Sequence, residues 1–222
     1  MRLFLKSIFL FLTSMIIVSC NNDDNAETEI DLGYDFYPIE IGYEWTYNVT
    51  AIELTISSDD TTYYQVKEIV DTTYTIGEES GYILHRMYRK DSTSAWVNDS
   101  VWSIQKNEFG VVKQENGYRY QKIEFPTELG KIWNGNKWNP FSQANYEIIT
   151  LDSSLSISGT TYTNVMKIDE GTSVNLIEDK ERYTLYARDI GPIKIVRKIL
   201  EQQPGEKQLG TVRTYSLIEY KL

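Results

Sequence analysis

The chain has 222 residues, of which 22 are basic and 32 acidic, and its formal net charge is −10. An acidic chain without a basic cluster has little attraction for polyanions, so we expect no nucleic-acid partner. With one cysteine and one histidine, it also lacks a ligand set for zinc or copper and a pair of groups for nucleophilic catalysis. We therefore expect no metal site and no cofactor.

The first nineteen residues are typical of an export signal. Arg2 and Lys6 precede an uncharged apolar run over residues 7–18, which is shorter than the ~20 residues that span a bilayer as a helix. The run ends in Ile17-Val18-Ser19-Cys20, which resembles the lipobox of bacterial lipoproteins. That resemblance implies that a signal peptide, residues 1–19, is removed and that the sulfur of Cys20 carries a diacylglycerol anchor. The membrane is then a partner through this lipid.

An acidic segment follows the cysteine. Residues 20–36 contain six acidic residues and no basic residue. A stretch of this composition buries too little apolar surface to offset the entropy of ordering, so we predict a flexible tether. Acidic residues close to a lipidated cysteine also resemble the surface-export signals of Bacteroidota lipoproteins. We therefore expect a lipid-anchored protein of the outer membrane, with the periplasmic leaflet and the cell surface both open.

Residues 37–222 are predicted to form a single all-β domain. Tyrosine, tryptophan and threonine are frequent, and alternating stretches recur between turn residues, as is typical of antiparallel strands. The predicted strands read, in chain order, WTYNVTAIELTI, TTYYQVKEIVDTTYTI, YILHRMYR, SAWVNDSVWSIQ, GYRYQKIEF, NYEIITL, TYTNVMKI, RYTLYAR, PIKIVRKIL and TVRTYSLIEYKL. We expect a large antiparallel meander that forms an open or half barrel with few or no helices. The best helix candidate, residues 174–183, could equally be a polar loop.

Two stretches of the domain repeat one pattern at an offset of 88 residues. Residues 37–45 and 125–133 both read aromatic-Pro-x-Glu-aliphatic-Gly-x-x-Trp. The Thr-Thr-Tyr-Thr of residues 72–75 recurs at the same offset. The proline and glycine predict a corner, and the tryptophan that follows can begin a strand and fill the core. We therefore predict two homologous halves, residues 37–124 and 125–222.

The repeated stretches also resemble a family of Bacteroidota outer-membrane lipoproteins. That family has a Phe-Pro-Leu-x-x-Gly-x-x-Trp opening, matched here by FYPIEIGYEW and FPTELGKIW. Its aromatic-x-x-Gly-aliphatic-Gly-aliphatic-aliphatic-Lys closing element is matched by YARDIGPIK, with departures at Asp189 and Pro192. The resemblance implies a half-barrel sheet similar to the lipoprotein-carrier and lipoprotein-receptor folds. It brings no established activity and no catalytic residues.

The segment KIWNGNKWNPF, residues 131–141, is the best candidate for a binding surface. It places Trp133 and Trp138 beside Asn134 and Asn136. Tryptophan rings can stack on sugars while neighbouring amides bond the sugar hydroxyls. The alternative is that both tryptophans seal the rim of the core.

Three functions remain open. The first, which we favour, is a lipid-anchored, non-catalytic interaction module of the cell envelope that binds an envelope protein or a glycan. The second is a carrier or chaperone for an apolar ligand, which requires a large apolar cavity in the half barrel. The third is a hydrolase with paired carboxylates in a cleft. Because the one histidine, His85, lies in a predicted strand without a surrounding motif, we expect that the protein is not an enzyme.

Overall fold

Antiparallel strands, wound in chain order around a barrel, build the domain. The computed structural model describes residues 30–201 and 205–222, so the predicted signal peptide, Cys20 and the tether up to residue 29 lie outside the described residues. The strands are β1 (Glu44–Leu54), β2 (Asp59–Ile76), β3 (Glu79–Arg89), β4 (Val97–Asn107), β5 (Gly110–Glu115), β6 (Tyr118–Glu124), β7 (Ile132–Asn134), β8 (Asn145–Ile157), β9 (Thr160–Asp169), β10 (Ser173–Val174), β11 (Glu178–Ala187), β12 (Gly191–Glu201) and β13 (Leu209–Lys221). The prediction of an all-β fold is confirmed.

Helical structure is minimal in the part of the chain that the structure describes. It amounts there to one 3₁₀ turn over Tyr34–Phe36. The helix candidate at residues 174–183 is wrong, because this stretch contains the end of β10, a turn and the start of β11. Within residues 30–201 and 205–222, no helix has the length and apolar character needed to cross a membrane.

The last strand closes the barrel by returning to the first. β13 pairs with β1 along its whole length, from Glu44↔Lys221 to Leu54↔Gly210. The short β10 pairs only with β11, which also pairs with β9. β6 and β7 remain as the two edges of the sheet. The barrel is therefore nearly closed, with one unsealed seam between β6 and β7.

Residues ahead of β1 cover one end of the barrel. Arg188 forms ion pairs with Asp31 at 2.5 Å and with Asp35 at 2.8 Å. The N–H of Asp189 donates to the carbonyl of Asp35 at 2.9 Å, and the ring of Phe36 is fully buried. The prediction of a flexible tether up to residue 36 is therefore wrong from Asp31 onward, because ion pairs and an aromatic anchor fix these residues to the β11–β12 turn.

The apolar core lies at this closed end. Trp45 is fully buried, and its indole N–H donates to the carbonyl of Ile190 at 2.6 Å. The ring of Tyr37 lies 6.2 Å from that of Trp45 and 6.1 Å from that of Tyr186. Because Trp45 is on β1 and Tyr186 on β11, these rings join distant strands across the end of the barrel, and Trp45 fills the core as its position predicts.

The two glycines of the repeated pattern occupy similar corners. Gly42 and Gly130 have φ angles of 94° and 81°. Gly42 donates its N–H to Val70 and Gly130 donates its N–H to Ile148, each at 2.8 Å. A return bond runs from each strand residue to the residue after the glycine, at 2.9 and 3.1 Å. The corners are locally equivalent, while the duplication of the complete halves, 37–124 and 125–222, stays a prediction.

Candidate functional site

The inward-facing side chains change from apolar to charged along the strands. On β13, Leu217 is fully buried in the core, and Tyr215 and Arg213 follow it on the same face toward the other end, where they line a cavity. On β2, Val70 is buried in the core, and the buried Glu68 follows it in the same way. Because alternate residues of a strand share one face, each of these faces supplies core at the closed end and polar groups toward the open end, which we call the mouth.

A cavity of about 650 Å³ lies in the barrel between the core and the mouth, and we call it the lumen. It extends from the buried rings of Tyr37 and Tyr47 to exposed residues such as Tyr88. Its cations are Arg86, Lys113, Lys122, Arg182, Arg197 and Arg213, and its acids are Glu68, Asp99 and Glu115. The volume suits a small-molecule ligand. Charged side chains occupy inward positions toward the mouth, which disfavours the carrier alternative because that alternative requires an apolar cavity; it stays a prediction.

Four of these side chains form a chain of alternating charge, in which Glu68, Lys113 and Lys122 are buried and Glu115 is partly exposed. Lys113 Nζ lies 2.7 Å from Glu68 Oε2 and 3.7 Å from Glu115 Oε1. Lys122 Nζ lies 3.3 Å from the other oxygen of Glu115. The chain thus links β2, β5 and β6 through the interior. Both lysine side chains are less than a tenth exposed, so each depends on its carboxylate partners to offset the loss of hydration.

Glu170, just after β9, continues this chain to the other side of the barrel. Both of its oxygens accept hydrogen bonds from Arg197 Nη2, at 2.9 and 2.7 Å. Lys122 Nζ lies 4.0 Å away, and the hydroxyl of Thr184 donates to it. Burial acts to raise the pKa of Glu170, but Arg197, Lys122 and the Thr184 hydrogen bond outweigh it and lower the pKa to about 2. Glu170 is therefore ionised at neutral pH.

The carboxylates in this row of alternating charges, Glu115 and Glu170, are poorly suited to donate protons. Burial acts to raise the pKa of Glu115, but the charges of Lys122 and Lys113 outweigh it and lower the pKa below its ordinary value. A glycosidase needs one carboxyl group with a raised pKa as its general acid. Glu115 and Glu170 shift in the opposite direction, which favours binding over acid catalysis at these positions. The absence of catalytic activity stays a prediction.

Aromatic rings and a paired arginine line the lumen toward the mouth. The guanidinium of Arg86 lies 4.6 Å from the ring centre of Trp102, and its Nε lies 3.2 Å from Asp99 Oδ2. The rings of Tyr64 and Tyr88 lie 5.3 Å apart. Rings of this kind offer flat apolar faces beside polar edges, so this part of the lumen can hold a cyclic, polar ligand.

Besides Arg86, whose Nε has only its ion pair with Asp99, three lining residues carry a buried polar atom without a hydrogen-bond partner among the described residues. These atoms are the hydroxyl of Tyr37, the indole nitrogen of Trp102 and the Nε of Arg182. Leaving such a group unpaired costs about 1–3 kcal/mol. All three can donate a hydrogen bond, so the lumen has spare donors that suit a ligand rich in acceptors.

The predicted binding loop lies at the seam of the barrel. Trp133 is 5% exposed, and its indole N–H donates to the carbonyl of Gln121 on β6 at 2.9 Å. The indole N–H of Trp138 donates to the side-chain oxygen of Gln121 at 2.8 Å. The backbone N–H of Gln121 donates to Gly135 at 2.9 Å. The loop therefore bonds to the free edge of β6 and bridges the seam.

The asparagines of this loop are engaged within it. The side-chain oxygen of Asn134 accepts the N–H groups of Asn136 at 3.0 Å and Ala144 at 3.1 Å. The side-chain amide of Asn136 donates to the carbonyl of Ser142 at 2.7 Å. Trp138 keeps 48% of its surface exposed. This geometry favours the rim-seal alternative for Trp133, while a binding role for Trp138 stays a prediction.

The charged lumen was missed at the sequence level, although a pattern for it exists. Glu68 lies two residues from both Val66 and Val70, and Lys113 lies two residues from Val111. These valines are buried, and alternate residues share a face. A charged residue in phase with the apolar positions of a strand therefore predicts a charge inside the barrel.

Residues 30–201 and 205–222 contain no group of three or more histidine, cysteine, aspartate or glutamate side chains that could hold a metal ion. His85 lies outside the lumen lining, with its Nε2 at 3.6 Å from Asp71 Oδ2 on the neighbouring strand.

No protein-family model and no curated protein matches the chain. It is similar to two solved structures from Bacteroidales. One, described as an exported protein with a YmcC-like fold, is from Bacteroides fragilis; identity is 13%, the TM-score is 0.41, and the match covers 84% of this chain and 99% of that one. The other, described as a lipoprotein, is from Parabacteroides distasonis; identity is 12%, the TM-score is 0.40, and the match covers 84% of this chain and 98% of that one. The motif-level resemblance to a Bacteroidota lipoprotein family stays a prediction.

Proposed function

We propose that this protein is a lipid-anchored protein of the cell envelope that binds a saccharide in the lumen of its barrel, without catalysing a reaction. The observation that carries the proposal is the cavity of about 650 Å³ between the core and the mouth. A cavity of this size holds a small molecule. Its lining combines ring faces with hydrogen-bonding groups, the two features that a sugar ring and its hydroxyls require.

The lining supports a cyclic, hydroxyl-rich ligand more than an apolar one. Tyr64, Tyr88, Trp102 and Tyr215 supply aromatic surface. Charged side chains share the lining with these rings, and Trp102 and Arg182 each carry a hydrogen-bond donor without a partner among the described residues. An apolar ligand would leave these polar groups without partners, which is costly in a buried site.

The envelope location rests on the sequence around Cys20. An export signal that ends in a lipobox-like Ile17-Val18-Ser19-Cys20 supports anchoring by lipid. The acidic residues that follow support an outer-membrane protein, on the periplasmic leaflet or on the cell surface. Either position exposes the barrel to the saccharides of the envelope.

A substitution that fills the lumen tests the binding proposal. Thr211 lines the cavity and is half-buried, so Thr211→Trp places a large ring in it. Thr61→Trp is the matched control, because Thr61 is exposed on β2 outside the lining. The full chain, purified in detergent, is applied to an array of bacterial and host glycans, and melting curves check that each variant is folded.

We expect the wild type and Thr61→Trp to bind the same saccharides. Thr211→Trp should lose about tenfold or more in affinity because its ring occupies the site. The proposal is overturned if the wild type binds no saccharide, or if folded Thr211→Trp binds as tightly as the wild type.

A further inference from the structure

We infer that the lumen selects an acidic saccharide, and that Arg182 and Arg213 bind its carboxylate or phosphate group. This inference deepens the proposed function and rests on it. It concerns which saccharides the lumen accepts, and it depends on how three arginines are placed on neighbouring strands.

The three arginines form a row across β11, β12 and β13. Arg182 lies directly opposite Arg197 in the β11–β12 pair, and Arg197 lies directly opposite Arg213 in the β12–β13 pair. All three line the lumen. Directly opposed residues of an antiparallel pair have Cβ atoms about 5 Å apart, and like charges in these positions are destabilising. The row therefore lowers the stability of the fold wherever negative charge does not compensate it.

Among residues 30–201 and 205–222, the middle arginine is the one member of the row that forms an ion pair. The positive charge of Arg197 is balanced by the carboxylate of Glu170, which accepts the two hydrogen bonds described above. Neither Arg182 nor Arg213 forms an ion pair with any carboxylate of residues 30–201 and 205–222, and the Nε of Arg182 is buried there without a hydrogen-bond partner. The row therefore presents two arginines that form no ion pair within the described residues, one on each side of the Arg197–Glu170 pair.

The charge balance of the lumen differs from that of the whole chain. Six lysines and arginines line it against three acids, and Glu170 adds a fourth acid that lies against Arg197 and Lys122. The chain as a whole has a net charge of −10. An excess of cations that lines the lumen, from buried Lys113 to the exposed Arg213, attracts a small anion that enters it, while the acidic charge of the whole chain repels large polyanions.

Arginine is well suited to the group proposed here. Its planar guanidinium presents a fixed fork of donors that matches the two oxygens of a carboxylate or phosphate. Tyr215 lines the lumen two residues from Arg213 on the same face of β13, and Tyr64 also lines it. A sugar ring can therefore lie against these aromatic side chains while its acidic group reaches the arginines.

A pair of oligosaccharides that differ in one group tests the inference. The full chain in detergent is titrated by calorimetry with a short oligosaccharide that ends in glucuronic acid and with the same oligosaccharide that ends in glucose. Phosphate-bearing and carboxylate-bearing sugars are compared in a second arm, which distinguishes the two sources of the anion. The variants are Arg182→Gln and Arg213→Gln, with Arg119→Gln as the control, because Arg119 lies outside the lumen lining.

We expect the acidic sugar to bind about tenfold or more tightly than the neutral one, with an affinity that falls as salt is added. Arg182→Gln and Arg213→Gln should each remove most of this preference, because they weaken binding of the acidic sugar more than binding of the neutral one, while Arg119→Gln should change the affinity for neither sugar. Arg182→Lys and Arg213→Lys keep the positive charge but cannot donate two parallel hydrogen bonds to one anionic group, so they should retain part of the preference for the acidic sugar.

Equal affinity for the acidic and neutral sugars overturns the inference and leaves the proposed function standing. So does an unchanged preference in folded Arg182→Gln and Arg213→Gln. Binding of neither the acidic nor the neutral oligosaccharides, together with an empty glycan array, overturns both.

Discussion

Glu170 and Arg197 form the ion pair that joins the end of β9 to β12 inside the barrel. Arg197 Nη2 lies 2.7 and 2.9 Å from the two carboxylate oxygens, and Glu170 is 1% exposed. Removing one partner of a buried pair leaves the other charge uncompensated. We expect Glu170→Gln to lower the free energy of unfolding by about 3 kcal/mol, measured by urea denaturation with tryptophan fluorescence.

Glu219→Gln is the control for this prediction. Glu219 is exposed on β13 and forms no ion pair within the described residues, so its substitution should change stability by less than about 0.5 kcal/mol. Equal effects of the two substitutions would contradict a special role for the buried pair.

The same ion pair predicts a loss of stability in acid. The pKa of Glu170 is about 2 in the folded protein against an ordinary value of 4.5, so the unfolded chain takes up the proton first as the pH falls. Its stabilising contribution is complete above about pH 4.5 and is lost between there and pH 2, by on the order of 3 kcal/mol. Urea denaturation at a series of pH values measures this slope.

Glu170→Gln should flatten the acid slope, because glutamine does not titrate. Asp91 remains as a smaller contributor on the surface, because hydrogen bonds from Thr93 and Ser94 lower its pKa to about 2. Asp91→Asn therefore serves as a comparison that leaves the interior unchanged. A slope in Glu170→Gln as steep as that of the wild type would show that other groups control the acid transition.

Two tryptophans that donate hydrogen bonds to Gln121 test whether the loop stabilises the seam between β6 and β7. Trp133→Phe and Trp138→Phe each remove an indole N–H and keep a ring. Trp133→Phe leaves the backbone carbonyl of Gln121 unpaired in a buried position. In Trp138→Phe, water can replace the lost hydrogen bond to the side chain of Gln121, because Trp138 is 48% exposed. We expect Trp133→Phe to lower the free energy of unfolding by about 1–3 kcal/mol and Trp138→Phe to have a smaller effect.

Hydrogen exchange localises the effect of the seam substitutions. Trp133→Phe should speed exchange of the Gln121 amide, which donates to Gly135 across the seam. If exchange in β6 is the same in Trp133→Phe and in the wild type, the loop does not hold the seam.

The strands could be predicted from sequence because their pattern is local. The predicted strand TTYYQVKEIVDTTYTI begins only two residues after the observed start of β2 at Asp59, and both end at Ile76. The row of Arg182, Arg197 and Arg213 could not be predicted, because it depends on the register between separate strands. A shift of one residue in either pair would turn these side chains to opposite faces.

The candidate site shows the same division between local and nonlocal information. The sequence of residues 131–141 is enough to suggest a binding surface with Trp133 and Trp138. Their hydrogen bonds to Gln121 could not be predicted, because they depend on which strand forms the edge of the sheet at the seam. The attachment of residues 31–36 was also missed, since the partner of Asp31 and Asp35 is Arg188, more than 150 positions away.

The paired corners at Gly42 and Gly130 predict matched effects of substitution. Both residues have positive φ angles, and a Cβ added at either position meets no atom within 4 Å. The cost of alanine is therefore conformational strain alone, about 1–2 kcal/mol at each site. Thermal and urea unfolding of Gly42→Ala and Gly130→Ala should give similar losses. A large difference between them, or failure of residues 37–124 and 125–222 to superpose, would argue against duplicated halves.

The last prediction separates the anchor from the binding site. Cys20→Ala removes the sulfur to which the lipid is expected to attach, and acyl chains contribute about 0.8 kcal/mol per buried methylene to membrane binding. We expect the variant to lose its acyl label and to leave the outer-membrane fraction. Ser19→Ala, which keeps a small residue before the cysteine, is the control and should remain labelled and membrane-bound. Because the described domain begins at Asp31, well after Cys20, detergent-purified Cys20→Ala should bind the same saccharides as the wild type. Recovery of Cys20→Ala in the outer membrane with acyl label attached would refute the anchor.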